Sequence, residues 1–311
     1  MEKLLFIINP KAGNGDLEKV WGEVEQTIRR HDIEYHHYFT TAQNDGCEQV
    51  KLFLKQGYRN IVVLGGDGTI NEVVNGIFQQ QDVPYEEVVM SLISMGTGND
   101  WGRYYKWTTN HIDAIHQILD GNFIRQDIGV IKHWINGQQH TSYFANIAGF
   151  GFDAAVVKAT NIMQARGRRK KSAYLLNLLK CLINNKLLEM KIEFDDQIIH
   201  DSIFSISIGN GKYSGGGMMQ TPRAINNDGL LDIAIYRNIR KLKVISNVNR
   251  LYNGTIEKVR GLETYRSKSF KISCPHTTFA EIDGEIVGDG PYEISILPNA
   301  LKVFAKPSLK I

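Results

Sequence analysis

Leu64-Gly65-Gly66-Asp67-Gly68-Thr69-Ile70-Asn71-Glu72 is the stretch on which the reading of this chain turns. The apolar run Ile61-Val62-Val63-Leu64 leads into it and has the composition of a fully buried strand. Ile70, Val73, Val74 and Ile77 follow at helical spacing, so the glycines occupy a strand-to-helix turn. Without Cβ atoms, glycines let a ligand approach the backbone and accept a positive φ. The free amides of the first helical turn then face whatever binds, which favours an anion such as phosphate. No Gly-Lys-Ser/Thr follows at the spacing of a Walker loop. The competing account is an ordinary tight turn, with Asp67 as helix cap and Asn71 and Glu72 as solvated first-turn residues.

Outward from this turn, strand and helix alternate. Leu4 to Ile8 reads as a buried strand, with the loop Asn9-Pro10-Lys11-Ala12-Gly13-Asn14-Gly15 after it. Leu17, Val20, Trp21, Val24 and Ile28 then share one helical face, as in a helix laid on a sheet. A strand over 34–40, a helix around 48–55 and a strand over 88–94 complete the pattern. Such alternation predicts a doubly wound, mostly parallel α/β sheet. Right-handed crossovers would bring the loops at 9–15, 40–45, 65–72 and 94–100 to one edge, where such sheets bind ligands.

Beyond Gly121 the texture changes. Segments 127–133 and 141–147 flank Asn136-Gly137, a strong hairpin signal. Short β-like segments follow at 189–195, 198–209, 230–236, 263–274, 278–282 and 286–297, interrupted by helical stretches at 152–163, 172–184 and 241–252. The expected division is a nucleotide-type α/β domain over 1–125 and a mainly antiparallel β domain over 126–299, with a tail, 300–311, free to pack back.

Bulk properties narrow the function classes. At 311 residues two domains are the better prior. A net charge of +3 is too small to argue for nucleic acid, which is not expected as a partner. Cys47, Cys181 and Cys274 match neither a disulfide framework nor a zinc site, so a reducing cytoplasm is the expected compartment. No run approaches the roughly 18 apolar residues of a membrane span, so any membrane contact must be peripheral.

Ser94-Met95-Gly96-Thr97-Gly98-Asn99-Asp100 is a second glycine-rich loop after a buried strand, and the pair is far more specific than either alone. Gly65-Gly66-Asp67-Gly68-Thr69 with Gly96-Thr97-Gly98-Asn99-Asp100 resembles the catalytic domain of diacylglycerol kinases, and more narrowly the soluble bacterial lipid kinases related to sphingosine and ceramide kinases. Asn9-Pro10-Lys11-Ala12-Gly13, Gly151-Phe152-Asp153, Gly209-Asn210-Gly211 with Ser214 to Gly217, Asn227-Asp228-Gly229 and Asp283-Gly284-Glu285 match later landmarks of the same family. The matches run from residue 9 to residue 285. Ser94-Met95 stands where Pro-Leu is common, and Trp101-Gly102 where Leu-Ala is usual; both departures touch the expected substrate face.

The resemblance implies a two-domain, NAD-kinase-like architecture with a C-terminal β-sandwich, ATP and Mg²⁺ as cofactors, and a lipid hydroxyl as phosphoryl acceptor. It assigns ATP to Asn9, Pro10, Lys11, Ala12, Gly13, Thr40 or Thr41, Gly65, Gly66, Asp67, Gly68, Thr69, Asn71, Glu72 and Thr97. Asp67 is the candidate for the catalytic Mg²⁺, since carboxylates hold an ion that bridges phosphate oxygens. The proton acceptor falls at Glu285, with Asp283 beside it. A structural Mg²⁺ is implied at Asp228 with the carbonyls of Ile225 and Leu230. Arg166, Arg168, Arg169, Lys170 and Lys171 put five positive charges within six residues, which suits contact with anionic phospholipid at the inner face of a membrane. Self-association as a homodimer is compatible with this picture. The rival readings are an NAD kinase, which shares a Gly-Gly-Asp-Gly loop, and a regulatory protein that binds ATP without turnover.

Overall fold

The computed structural model describes residues 3–13, 17–96, 98–165, 171–274 and 278–304. Strand β1 (Leu4–Ile8) lies between β2 (Tyr35–Phe39) and β3 (Asn60–Gly65), and β4 (Val89–Ser94) flanks β3, all parallel. Every residue of β1 and β3 is buried, because helices cover both faces of the sheet. The covers are α1 (Leu17–Arg30), α2 (Asp45–Lys55), α3 (Asp67–Gln79), α4 (Asp100–Tyr104) and α5 (His111–Leu119). The order β4-β3-β1-β2 reverses direction between β1 and β3, and such a reversal opens a crevice at the carboxyl ends of the strands. Helix α5 adds to the expected elements; the Asn110 side chain caps it by accepting from the amides of Ile112 and Asp113 at 2.9 and 3.1 Å.

The second half is antiparallel. β5 (Phe123–Ile135) and β6 (Gln138–Phe144) form the hairpin at Asn136-Gly137, with φ of 51° and 80° as a type I′ turn requires. Then come β7 (Ile147–Gly151), α6 (Phe152–Ala165), α7 (Lys171–Asn184), β8 (Leu188–Phe194), β9 (Gln197–Gly209), the short β10 (Tyr213–Ser214) and β11 (Met218–Met219), and β12 (Leu231–Arg237). The stretch expected as one helix over 241–252 is two, α8 (Lys241–Ser246) and α9 (Val248–Tyr252). β13 (Leu262–Ser267), β14 (Ser269–Ser273), β15 (Phe279–Ile282) and β16 (Glu285–Phe304) complete the chain. Ile131, Phe150, Ile192, Ile206, Ile233, Phe270 and Tyr292 belong to the core of this half.

Strand β16 joins the two halves. It leaves the Asp283-Gly284 turn, pairs antiparallel with β15, β14 and β5, and ends parallel to β4 through Lys302 and Val303. Register shifts between Asp289 and Glu293 and between Leu297 and Leu301 mark where its pairing with β5 is interrupted. Leu301, Val303 and Phe304 therefore sit in the core of the first half. A cut near residue 125 falls inside β5, which runs alongside β16 across the same junction.

Candidate active site

The carboxyl ends of β1, β3 and β4 bring three loops together. The Asn9 amide donates to Leu64 O at 3.0 Å, and its Nδ2 donates to Thr69 Oγ1 at 3.1 Å, tying the first loop to the start of α3. Gly66 and Gly96 meet back to back: a Cβ on Gly66 would stand 3.1 Å from Gly96 Cα, and one on Gly96 2.8 Å from Gly66 Cα. This contact is what the two glycine-rich loops need glycine for. The Ile70 amide closes the first helical bond onto Gly66 O at 3.1 Å, so the amides of Gly68 and Thr69 have no intrahelical acceptor. Thr40 is buried at the end of β2, its amide bonded to Ile8 O at 2.8 Å. Thr97 lies outside the described residues.

Asp67 turns towards the next loop. Its Oδ1 accepts from the Trp101 amide at 3.2 Å, and the amides of Asp100 and Asn99 also favour its charge, although burial, the larger effect, raises its pKa. Asp100 accepts from the amides of Gly216 and Gly217 at 2.8 and 2.6 Å, reaching the β10–β11 turn of the second half. Gly215, Gly216 and Gly217 all have positive φ there, a conformation that favours glycine. Burial, then the charge of Asp67, pushes the Asp100 carboxyl up to about 6. Two carboxylates are thus held as a like-charged pair, with Arg103 Nε 3.9 Å from Asp100 Oδ1. Asp67 is a carboxylate of the kind Mg²⁺ takes together with phosphate oxygens and water, whereas both Asp100 oxygens are already held by amides. Among the described residues no cluster of three His, Cys, Asp or Glu offers an all-protein cage.

Glu285 comes from the opposite side. A Cβ on Gly68 would stand 3.5 Å from Glu285 Oε1, and Glu285 Oε2 accepts from Gln43 Nε2 at 3.0 Å. The first residue of β16 therefore places its carboxylate at the amino end of α3. Burial raises its pKa, the charge of Glu72 adds to that, and the Gln43 hydrogen bond opposes it.

Asp283, only two residues earlier, is used differently. Its Oδ2 accepts from the Ala145 amide at 2.7 Å, and its Oδ1 from the amides of Asn146 and Ile147 at 2.9 and 3.0 Å. With three buried amides on its oxygens, Asp283 clamps the β6–β7 connection, which corrects its candidacy as an acid or base. Two nucleotide assignments are corrected likewise. Glu72 accepts from the amides of Asn44 and Gly46, each at 2.9 Å, and so caps α2, whose own N-cap residue supplies no side-chain bond. The buried Asn71 faces the second half, where its amide favours the charge of Asp283 and lies 3.4 Å from Tyr143 O.

Asp153 and Glu281 form a further layer behind the cleft that carried no assigned role. Asp153 Oδ2 accepts from Ser207 Oγ at 2.6 Å and Gln220 Nε2 at 3.0 Å, while burial pushes its carboxyl to about 6. Glu281 Oε2 accepts from the Gly284 amide at 2.9 Å and so braces the turn that carries Glu285. Burial holds the Glu281 pKa well above the carboxylate range, and the charges of Asp153, Asp283 and Glu285 reinforce this. Asp153 was legible in the Gly-Phe-Asp landmark; nothing local to the sequence marks Glu281 or Gln43.

The site expected for a structural Mg²⁺ does not fit that ion. Asp228 Oδ2 accepts from Arg266 Nη2, and its Oδ1 from the Leu230 amide at 3.1 Å. Arg266 Nε also donates to Asp232 Oδ2 at 3.0 Å, so one guanidinium bridges both carboxylates. A dication there would have to displace that guanidinium from both carboxylates. Ile225 is exposed near this turn. Of the expected membrane-contact residues, Arg168, Arg169 and Lys170 lie outside the described residues, and Lys171 is described only as the first residue of α7.

A glycine-lined helix start in a parallel sheet, faced by a carboxylate from a β-rich half, can hold a phosphate group opposite a base, as a kinase that carries phosphate to a hydroxyl requires. Comparison with known proteins agrees. Residues 3–131 match the diacylglycerol kinase catalytic domain, and residues 146–305 match the YegS C-terminal NAD kinase beta sandwich-like domain. A diacylglycerol kinase of Staphylococcus saprophyticus is 25% identical over 310 residues, covering 98% of this chain and 96% of its own length. One from Mycobacterium tuberculosis is 26% identical over 305 residues, covering 97% and 94%. The crystal structure of a Bacillus anthracis diacylglycerol kinase superposes with a TM-score of 0.73 at 22% identity, covering 99% of this chain and 98% of that one. Yeast NADH kinase superposes more loosely, at 0.55 and 8% identity over 98% and 84%. Both structures speak to the fold alone. The chain belongs to the family that joins a diacylglycerol kinase catalytic domain to a YegS-type β domain. As a kinase of that family it uses ATP.

Proposed function

We propose that the protein transfers the γ-phosphoryl group of ATP to the hydroxyl of diacylglycerol, giving phosphatidic acid, or of a similar lipid, in the cleft between its two halves. The observation that carries this is the approach of Glu285 Oε1 to Gly68, which sets a carboxylate against the amino end of α3. In this reading Asn9, Pro10, Lys11, Ala12, Gly13, Thr40, Gly65, Gly66, Asp67, Gly68, Thr69 and Thr97 line the ATP site. The amides of Gly68 and Thr69 hold phosphate, aided by the positive end of α3. Asp67 would hold Mg²⁺, which neutralises charge on the transferring phosphoryl group when bound.

Glu285 takes the proton from the lipid hydroxyl as that oxygen attacks. Its raised pKa makes it a stronger base than an exposed glutamate, and Gln43 orients it. Glu281 accepts from the Gly284 amide and so fixes the turn that carries Glu285. Arg168, Arg169, Lys170 and Lys171 would meet anionic phospholipid, placing the enzyme peripherally at the inner face of the membrane. No helix among the described residues is long and apolar enough to cross a membrane.

The test is labelled ATP offered with diacylglycerol, sphingoid base, phosphatidylglycerol and NAD, using wild type and Glu285→Gln. Lipid labelling that falls by about 10²–10⁴ in the variant supports the reading. Labelling of NAD alone would make the protein an NAD kinase. Equal background transfer in both proteins would leave an ATP-binding regulator.

A further inference from the structure

We infer that the outer face formed by the end of α7 and by α8 is a docking surface for an anionic lipid bilayer; the assignment rests on the lipid-kinase reading above. The inner side of these helices is satisfied. Leu178, Cys181 and Leu182 of α7, Val244 of α8 and Leu251 of α9 pack with Phe152, Phe204 and Ile239. The outer side is not. Leu242 is 82% exposed and Ile183 69%, with Ile245 and Leu187 exposed as well. Lys241 Nζ donates to Ile183 O, so the end of α7, which carries Ile183, adjoins the start of α8, which carries Leu242. Most other exposed large apolar residues lie singly on separate strands and helices.

Charge selects the partner. Segments 178–188 and 238–256 contain Lys180, Lys186, Arg240, Lys241, Lys243 and Arg250 and no aspartate or glutamate. Short helices with apolar tips set among lysines suit an interface where the tips enter the acyl boundary and the ammonium groups meet anionic headgroups. The surface also has a route to the chemistry. α6 packs on α7, and Asn161 of α6 donates through Nδ2 to Gly284 O at 3.1 Å, in the turn that carries Glu285. Ile162, next to Asn161, is exposed. A bilayer seated on α7 and α8 therefore adjoins the helix that touches the catalytic turn, the relation needed by an enzyme whose acceptor hydroxyl lies at a membrane surface.

The experiment uses the full chain and vesicles of phosphatidylcholine with or without phosphatidylglycerol, read by cosedimentation at low and high salt. Wild type is expected to bind the anionic vesicles in a salt-sensitive way. The double variant Leu242→Glu with Ile245→Glu should lose roughly tenfold or more in partitioning, since it removes apolar contact and adds repulsion. Both positions are solvent-exposed, so its melting curve should match wild type. Lys180→Glu with Lys186→Glu should weaken binding at low salt only. Failure of wild type to bind, or unchanged binding by the Leu242/Ile245 variant, overturns the assignment. So does a wild-type dimer in sedimentation that the variant dissociates, because the face would then be covered by a second copy. Phosphorylation of a short-chain diacylglycerol dissolved as monomers tests the kinase reading separately: the variant should retain that reaction while losing phosphorylation of vesicle lipid.

Discussion

Replacing Asp283 separates a structural carboxylate from a chemical one. Its oxygens accept three amides, those of Ala145, Asn146 and Ile147. Asp283→Ala strands all three, and each unsatisfied buried donor costs about 1–3 kcal/mol, giving roughly 3–9 kcal/mol before water enters. Asp283 also sits at φ 48°, a left-handed conformation that alanine adopts at a further cost of about 1–2 kcal/mol. Admission of water offsets part of this, so a loss of at least about 3 kcal/mol is expected. Asp283→Asn tolerates the backbone and keeps one acceptor oxygen, and should lose about half as much.

The dependence on pH has a definite sign. Burial lifts the Asp283 carboxyl from 3.8 to about 6, so the folded state holds the proton more tightly than the unfolded chain. The associated stability is fully present below about pH 4 and is lost as pH rises through about 6. Between pH 5 and pH 8 this removes about 1.4 kcal/mol from wild type and nothing from the asparagine variant. The stability gap between them should therefore be larger at pH 5. Urea unfolding followed by circular dichroism at both pH values measures it. Wild-type stability for Asp283→Ala, together with loss of phosphotransfer, would refute the clamp and return Asp283 to the chemistry.

Gly66→Ala forces a Cβ to 3.1 Å from the Gly96 backbone, where no flexible side chain can yield. It should weaken binding of a non-hydrolysable ATP analogue about tenfold or more by calorimetry, given the roughly 1–3 kcal/mol typical of overpacking. Glu72→Ala uncaps α2 and should cost about 1–2 kcal/mol in thermal unfolding while ATP-analogue affinity stays near wild type; a large affinity loss would restore Glu72 to the nucleotide site. Arg266→Met leaves Asp228 and Asp232 without their shared cation. The variant should melt earlier in EDTA and recover stability with Mg²⁺ by more than wild type does, whereas a strong Mg²⁺ dependence in wild type would show that the arginine does not replace the ion.

The amino-acid sequence by itself determined the parts whose signals are local. Continuous apolar runs at 4–8 and 61–64 require strands covered on both faces, and both are wholly buried. Asn136-Gly137 demands a tight hairpin because both residues accept positive φ. The glycine pair at 65–66 announces a backbone approach, and Gly96 supplies the other side of it. Helix α5 is legible too, in an Asn cap followed by periodic apolar residues.

Only the tertiary structure decided what distant partners decide. Asp283 and Glu285 stand two residues apart with the same chemistry, but one meets the amides of 145–147 and the other faces Gly68 and Gln43. The family resemblance makes Asp228 a metal ligand, but Arg266, on a neighbouring strand, reaches it. Twenty residues of β16 stitch both halves into one sheet because each stretch of that strand pairs with a segment remote in sequence. A carboxylate's role depends on what it is buried against, and for Asp283, Glu285 and Asp228 those neighbours come from other strands, loops and helices.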